Sequence, residues 1–164
     1  MRKYFLVLLF MSLINCVLAQ NVDEAIKYND AIIDKNNEVI TAFEALMESY
    51  AKFDPKEMDK AYNDALLKVQ DAIIFVKKLT AFKSDASFRD GALDLFKVYK
   101  SFLDVEHKRI IELLKLPDTR YGEKEVAEYE ELINKINEKN EQEMNKLIQI
   151  QNDFAKKHHF DISN

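Results

Sequence analysis

Apolar side chains return every three or four positions in four long stretches of the chain, a helical spacing rather than the alternation of strands. The first stretch runs roughly from Val22 to Phe53. It holds two series that step by seven: Ile26, Ile33, Ile40 and Met47, and Ile32, Val39, Leu46 and Phe53. Phe43 and Tyr50 extend the same stripe. Asp54-Pro55-Lys56-Glu57 then reads as a helix start. Asp54 can accept from free amide groups, Pro55 suits the first helical position, and Glu57 completes a capping box. The second helix is predicted to run to about Phe82, with Met58, Tyr62, Ala65, Leu66, Val69, Ala72, Ile73, Val76 and Leu79 inward.

A polar break at 83–87 precedes a third helix, from about Ser87 to Leu114. Its stripe is Phe88, Ala92, Leu95, Tyr99, Phe102, Leu103, Ile110 and Leu113. Gly91 inside it lowers helix propensity by about 1 kcal/mol, which points to a close approach by a neighbouring helix. Pro117 stops the third helix because it has no N–H to donate. The fourth starts near Glu123 and reaches about Lys157. It turns Val126, Tyr129, Leu132, Ile133, Ile136, Met144, Leu147, Ile148 and Phe154 inward. Four long helices with short connections predict an all-α fold, an antiparallel up-down-up-down four-helix bundle with coiled-coil-like packing. One such domain would occupy residues 20–164.

Ahead of it, Met1-Arg2-Lys3-Tyr4 is basic, Phe5 to Ile14 is apolar but for Ser12, and Val17-Leu18-Ala19 presents a small residue at the cut and a modest one two places earlier. That is the order of a signal peptide, with cleavage expected after Ala19. The apolar run is too short to span a bilayer. Cys16 offers a second reading, a lipoprotein acylated there, but Asn15 stands where a small residue is wanted. On cleavage after Ala19 the mature chain keeps no cysteine, hence no disulfide and no thiolate chemistry. It is expected to be exported: periplasmic, surface-exposed or released.

Composition agrees and narrows the chemistry. The chain has 164 residues, 48% hydrophobic and 32% charged, with only 2 Gly and 2 Pro, too few for a turn-rich β architecture. Loss of Arg2 and Lys3 leaves 22 basic against 29 acidic residues, a net charge of −7 that disfavours nucleic acid. Two glycines make no phosphate loop, and no serine sits in a glycine-rich elbow, so no enzyme is expected.

Polar residues that fall on the inward stripes are the candidate site. Asn29 and Asn36 lie seven apart on the first helix, and Asn140 interrupts the fourth. Counted from the loop ends, Asn36, Asn140 and Tyr99 should share one level. Two readings stay open: a cavity for a small ligand, or a hydrogen-bonded layer that sets helix register. Glu106 is a carboxylate on a mostly apolar face, with Tyr62 and Tyr129 placed to donate to it. Asp104 and His107 form a single acid-x-x-His step, whereas a bundle di-iron site needs two Glu-x-x-His pairs. His158 and His159 lie at the other end from His107, so no shared metal and no cofactor is predicted. Haem attachment has no Cys-x-x-Cys-His, and Met47 is far from His158.

Tyr28-Asn29-Asp30-Ala31-Ile32-Ile33 and Phe88-Arg89-Asp90-Gly91-Ala92-Leu93, behind a leader ending Leu-Ala-Gln, resemble a family of small secreted or surface helical proteins of unknown activity from Bacteroidetes and spirochaetes. The resemblance implies an envelope or surface location and supplies no catalytic residues. The expectation is therefore a non-enzymatic interaction protein of the cell envelope. The alternative is a periplasmic carrier of a small ligand or metal, using the Asn36–Asn140–Tyr99 level or the C-terminal histidines. A cavity at that level would favour the carrier. A chaperone would show an exposed apolar groove or a homodimer.

Overall fold

The computed structural model describes residues 2–162, with side chains from residue 21 onward. The leader's side chains, Cys16 among them, therefore lie outside what is described. Among the described residues the chain is all helical: α1 (Arg2–Lys52), α2 (Pro55–Lys78), α3 (Ser87–Phe102), α4 (Lys108–Leu114) and α5 (Glu123–His158). A π-helical turn, Leu103–His107, joins α3 to α4 without a break, so these three segments form one rod, one of four among the described residues. A short 3-10 turn, Asp118–Arg120, precedes α5. No strand occurs among the described residues; Phe82 and Asp85 make one isolated bridge. α1 starts at Arg2 rather than near Val22, and it ends at Lys52, one residue before the expected Phe53.

Neighbouring rods close on one another in the order α1, α2, α3, α5. α1 leans mainly on α2 and α5 mainly on α3, which leaves the α1–α5 seam thin. The heptad on α1 explains its two edges. One edge is aliphatic, with Ala25, Ile32, Val39 and Leu46 buried. The other carries Asn29, Asn36, Phe43 and Tyr50, polar or aromatic at every step. Phe88, Phe96 and Phe154 are the largest fully buried side chains.

Periodicity marks a stripe but not which flank meets a neighbour. Phe53 and Met47 are exposed, not inward, and so are Val126 and Ile148 of α5. Phe53 has passed the end of α1 into a left-handed conformation, φ 51°. Val126 and Ile148 lie on a rod that buries only Ile136, Leu147, Gln151, Phe154 and Ala155.

The helix ends follow local chemistry. Asp54 accepts from the amides of Lys56 (2.8 Å) and Glu57 (3.3 Å), as its sequence position predicts. The side chain of Glu57 meets Lys52 at 3.3 Å. Asp85 accepts from Ser87 N (3.0 Å) and Ser87 Oγ (2.7 Å) at the start of α3. At the far end of α5, His159 turns left-handed and the Phe160 amide reaches back to the Ala155 carbonyl, closing a Schellman cap. Gly91 marks the expected close approach: a Cβ there would stand 2.7 Å from Ile150 Cδ1 of α5.

Candidate functional site

The π turn lies in the middle of the inward face of the third rod. The buried positions step by three and four through it, from Phe96 and Tyr99 to Leu103, Glu106, Ile110 and Leu113. His107 and Ile111 are buried beside them, and Arg109 is outside, held by Glu128. Tyr62 of α2 donates to the Leu103 carbonyl at 3.3 Å within that turn. A side chain inserted into the helical ladder is one of the few causes of such a distortion.

His107, completely buried, is the centre of the site. Its Nδ1 lies 2.7 Å from the hydroxyl of Tyr50, itself only 4% exposed. Phe43 meets the ring edge-on at 5.2 Å, and Phe43 also packs on Tyr99 at 5.4 Å. Burial lowers the imidazole pKa to about 4, against an opposing pull from the charge of Glu106, so the ring is neutral near pH 7. Burial raises the Tyr50 hydroxyl far above the ordinary tyrosine range and Tyr99 to about 12, so both stay protonated. The 2.7 Å contact is thus one hydrogen bond between a protonated hydroxyl and a neutral imidazole that carries a single ring proton.

A cavity of about 130 Å³ opens beside this pair, in the thin seam between α1 and α5. Phe43, Tyr99, Phe102 and Ile136 form apolar walls, with His107 and Asn140 among the lining residues. Met47, Glu44 and Asn137, all exposed, stand at its mouth. Two buried atoms here have no hydrogen-bond partner: His107 Nε2 and Asn140 Oδ1. Asn36 Oδ1 and His158 Nε2, away from the cavity, are in the same state.

The other expected residues separate. Tyr99 and Asn140 both line the cavity, and Asn36 does not. Asn36 is buried with its own Oδ1 unpartnered. Asn29 belongs to a different layer, accepting from Gln151 Nε2 of α5 at 2.8 Å while its amide donates to Asp30. Glu106 takes no bond from Tyr62 or Tyr129. Its carboxylate pairs with Lys135 of α5 at 2.6 Å, beside a shallow groove of about 410 Å³ on the other side of Phe102. The C-terminal histidines form no centre with His107. His158 packs on Phe154 and Phe82 and lies 3.5 Å from Asp85, which Lys157 holds at 2.7 Å. Among the described residues no group of three or more His, Cys, Asp or Glu side chains is placed to hold a metal, and no helix is long and apolar enough to cross a membrane.

The residue that sequence reasoning missed is His107 as a cavity wall. It was visible only as half of an acid-x-x-His step. The signal that could have found it is Tyr50, which continues the Asn29–Asn36–Phe43 edge of α1 with a hydroxyl in need of a partner. No protein-family model, no curated protein and no solved structure matches the chain.

Proposed function

We propose that this chain is an exported, non-enzymatic helical-bundle protein that binds a small molecule in the His107 cavity. The observation that carries the reading is the cavity of about 130 Å³ walled by Phe43, Tyr99, Phe102 and Ile136, with His107 and Asn140 in its lining. The cavity level favours the carrier over a purely surface-acting interaction protein. Export rests on the leader's basic, apolar and small-residue order, with release after Ala19 favoured over acylation at Cys16. Membership of the secreted or surface helical family rests on the two short motifs around Asn29 and Gly91.

The rods run up-down-up-down in this reading. Cross-links between them support it. Midway along α1, and early in the part that follows Ala19, Tyr28 meets Thr80, after α2 (3.1 Å), and Asn29 meets Gln151 in the last turns of α5, while Lys115 just after α4 meets Asp59 at the start of α2. Arg109, late in the third rod, grips Glu128, early in α5.

Xenon and four ring compounds (benzene, phenol, 2-pyridone and benzoate) test the reading on the mature chain by NMR. Saturable binding that shifts His107 and Asn140 signals is expected, and Asn140→Phe, which fills the cavity, should abolish it while helicity by circular dichroism stays unchanged. No saturable binding by any of them, or binding that survives the filled cavity, overturns the proposal. Mass spectrometry of the exported chain's N-terminus checks export: a start at Gln20 supports cleavage, and an intact Met1 refutes it.

A further inference from the structure

The rods do not meet evenly, and the thin α1–α5 seam leaves apolar side chains at the surface. Three positions before Asn29, Asn36, Phe43 and Tyr50 stand Ile26, Ile33, Ile40 and Met47, a parallel line on that flank of α1. Ile40 and Met47 face α5 across the seam. The three isoleucines are half-buried and Met47 is 44% exposed. On α5, Asn137 borders the cavity and Gln151 bonds Asn29, so Met144, midway between them by steps of seven, lies on the same line. Met144 is half-buried, and Ile148 beside it is 47% exposed. Two apolar ridges thus border one groove, which from Ile26 to Met47 is about 30 Å long at the helical rise per residue.

The rims beyond these ridges carry one sign of charge. On α1 the next line outward is Asp23, Asp30, Asn37 and Glu44, all exposed. On α5 it is Glu130, Asn134, Asn137 and Glu141, also exposed. The lysines of α5 are elsewhere: Lys135 and Lys139 lie on its other flank, in the groove with Glu106, and Lys146 is held by Glu143. Lys27 stands beyond the α1 rim, one line further from the seam. Such a groove selects its occupant by charge. A second copy would set acid against acid, with a net charge of −7 on each mature chain, and anionic lipid headgroups would be repelled in the same way. We propose that the α1–α5 seam docks an amphipathic helix of a partner protein, about 20 residues long, with lysines or arginines on both flanks of its apolar stripe. The stripe lies on Ile33, Ile40, Met47, Met144 and Ile148, and the flanking cations face the two acidic rims. The helix crosses the cavity mouth from outside, so this inference stands without a small-molecule ligand.

Three designed peptides of about 20 residues are the probes: a leucine stripe flanked by lysines, the same stripe flanked by glutamates, and the first peptide with its order scrambled. Anisotropy titrations against the exported chain give the affinities, and methyl spectra of methionine and isoleucine locate the contact. The expected result is saturable binding of the lysine-flanked peptide, at least about tenfold tighter than the other two, with shifts at Met47, Met144 and Ile148. Met47→Asp with Ile148→Asp should weaken it at least about tenfold at unchanged helicity, since both side chains are exposed. Glu44→Lys, Glu130→Lys and Glu141→Lys together should move the preference to the glutamate-flanked peptide. Equal binding of the scrambled peptide, or shifts spread over the acidic surface, would reduce the contact to net charge and overturn the groove. Tight binding of the glutamate-flanked peptide would mark an apolar groove blind to charge, as in a chaperone, and overturn the basic partner. A homodimer in light scattering that Met47→Asp with Ile148→Asp splits, or flotation with phosphatidylglycerol vesicles, would give the face to a second copy or to lipid and overturn it as well. Binding of none of the three peptides refutes the docking groove and leaves the cavity, which xenon reports separately, untouched.

Discussion

Burying a histidine without charging it makes the fold acid-sensitive by an amount that can be worked out. His107 has a folded pKa of about 4 against an ordinary 6.5. Between those values the unfolded chain binds a proton that the native state does not, so stability falls as pH drops from 7 and the loss is complete below about pH 4. At about 1.4 kcal/mol per pKa unit, moving from near pH 7 to near pH 4.5 should remove about 2–3 kcal/mol through this one group. The comparison needs a protein without the titration and without a stranded partner. Replacing His107 alone would orphan the Tyr50 hydroxyl, so the reference is Tyr50→Phe with His107→Leu, where both ends of the 2.7 Å bond become apolar. His158, whose pKa burial also lowers, and Asp85, held low chiefly by Lys157, are present in both proteins and cancel in the difference. Urea unfolding followed by far-UV circular dichroism at the two pH values gives the four stabilities. The wild type should lose about 2–3 kcal/mol more than the double variant over this interval. Equal losses, agreeing within about 0.5 kcal/mol, would show that His107 titrates normally and is not sealed in a neutral state.

Three stability changes test other parts of the structure. Phe53→Gly should raise stability by about 1 kcal/mol in thermal melts, because a 65% exposed side chain is giving nothing back for its left-handed φ of 51°; a lower melting temperature would show that Phe53 is held by contacts not seen here. Gly91→Ala combined with Ile150→Val should stabilise by about 0.5–1 kcal/mol, since valine lacks the Cδ1 that stands 2.7 Å from the added methyl and alanine restores helix propensity; Gly91→Ala alone should gain less, and a larger gain for the single variant would contradict the close approach. Gln151→Leu should cost about 1–3 kcal/mol in urea by stranding Asn29 Oδ1, and adding Asn29→Leu should recover most of it; additive losses would mean that the two amides are not partners.

The four rods were legible because heptad spacing, the Asp54–Pro55 start and the Pro117 stop are local signals that chain geometry obeys. Ile32, Val39 and Leu46 are fully buried where their step of seven places them. The flanks were not legible. Met47 follows Ile40 by the same step yet stands at the cavity mouth, since nothing in α1 records that the α1–α5 seam is thin. The two asparagines of α1 show the limit most clearly. They have the same residue type, the same helix and nearly the same burial, yet Asn29 meets Gln151 and Asn36 Oδ1 meets nothing. Partnership is a property of the facing helix, and a single strip of sequence does not contain it.

The aromatic and polar edge of α1 ends in Tyr50, a hydroxyl that cannot be buried without a partner. The π turn holds that partner, His107, at 2.7 Å, while Glu106 in the same turn is met by Lys135 and Arg109 just beyond it by Glu128. Each polar side chain at this level of the third rod is thus answered from another helix: Glu106 and Arg109 by α5 at the surface, His107 by α1 inside. The cavity lies beside the inner pair, where the α1–α5 seam is thin and Phe43 and Tyr99 pack against each other.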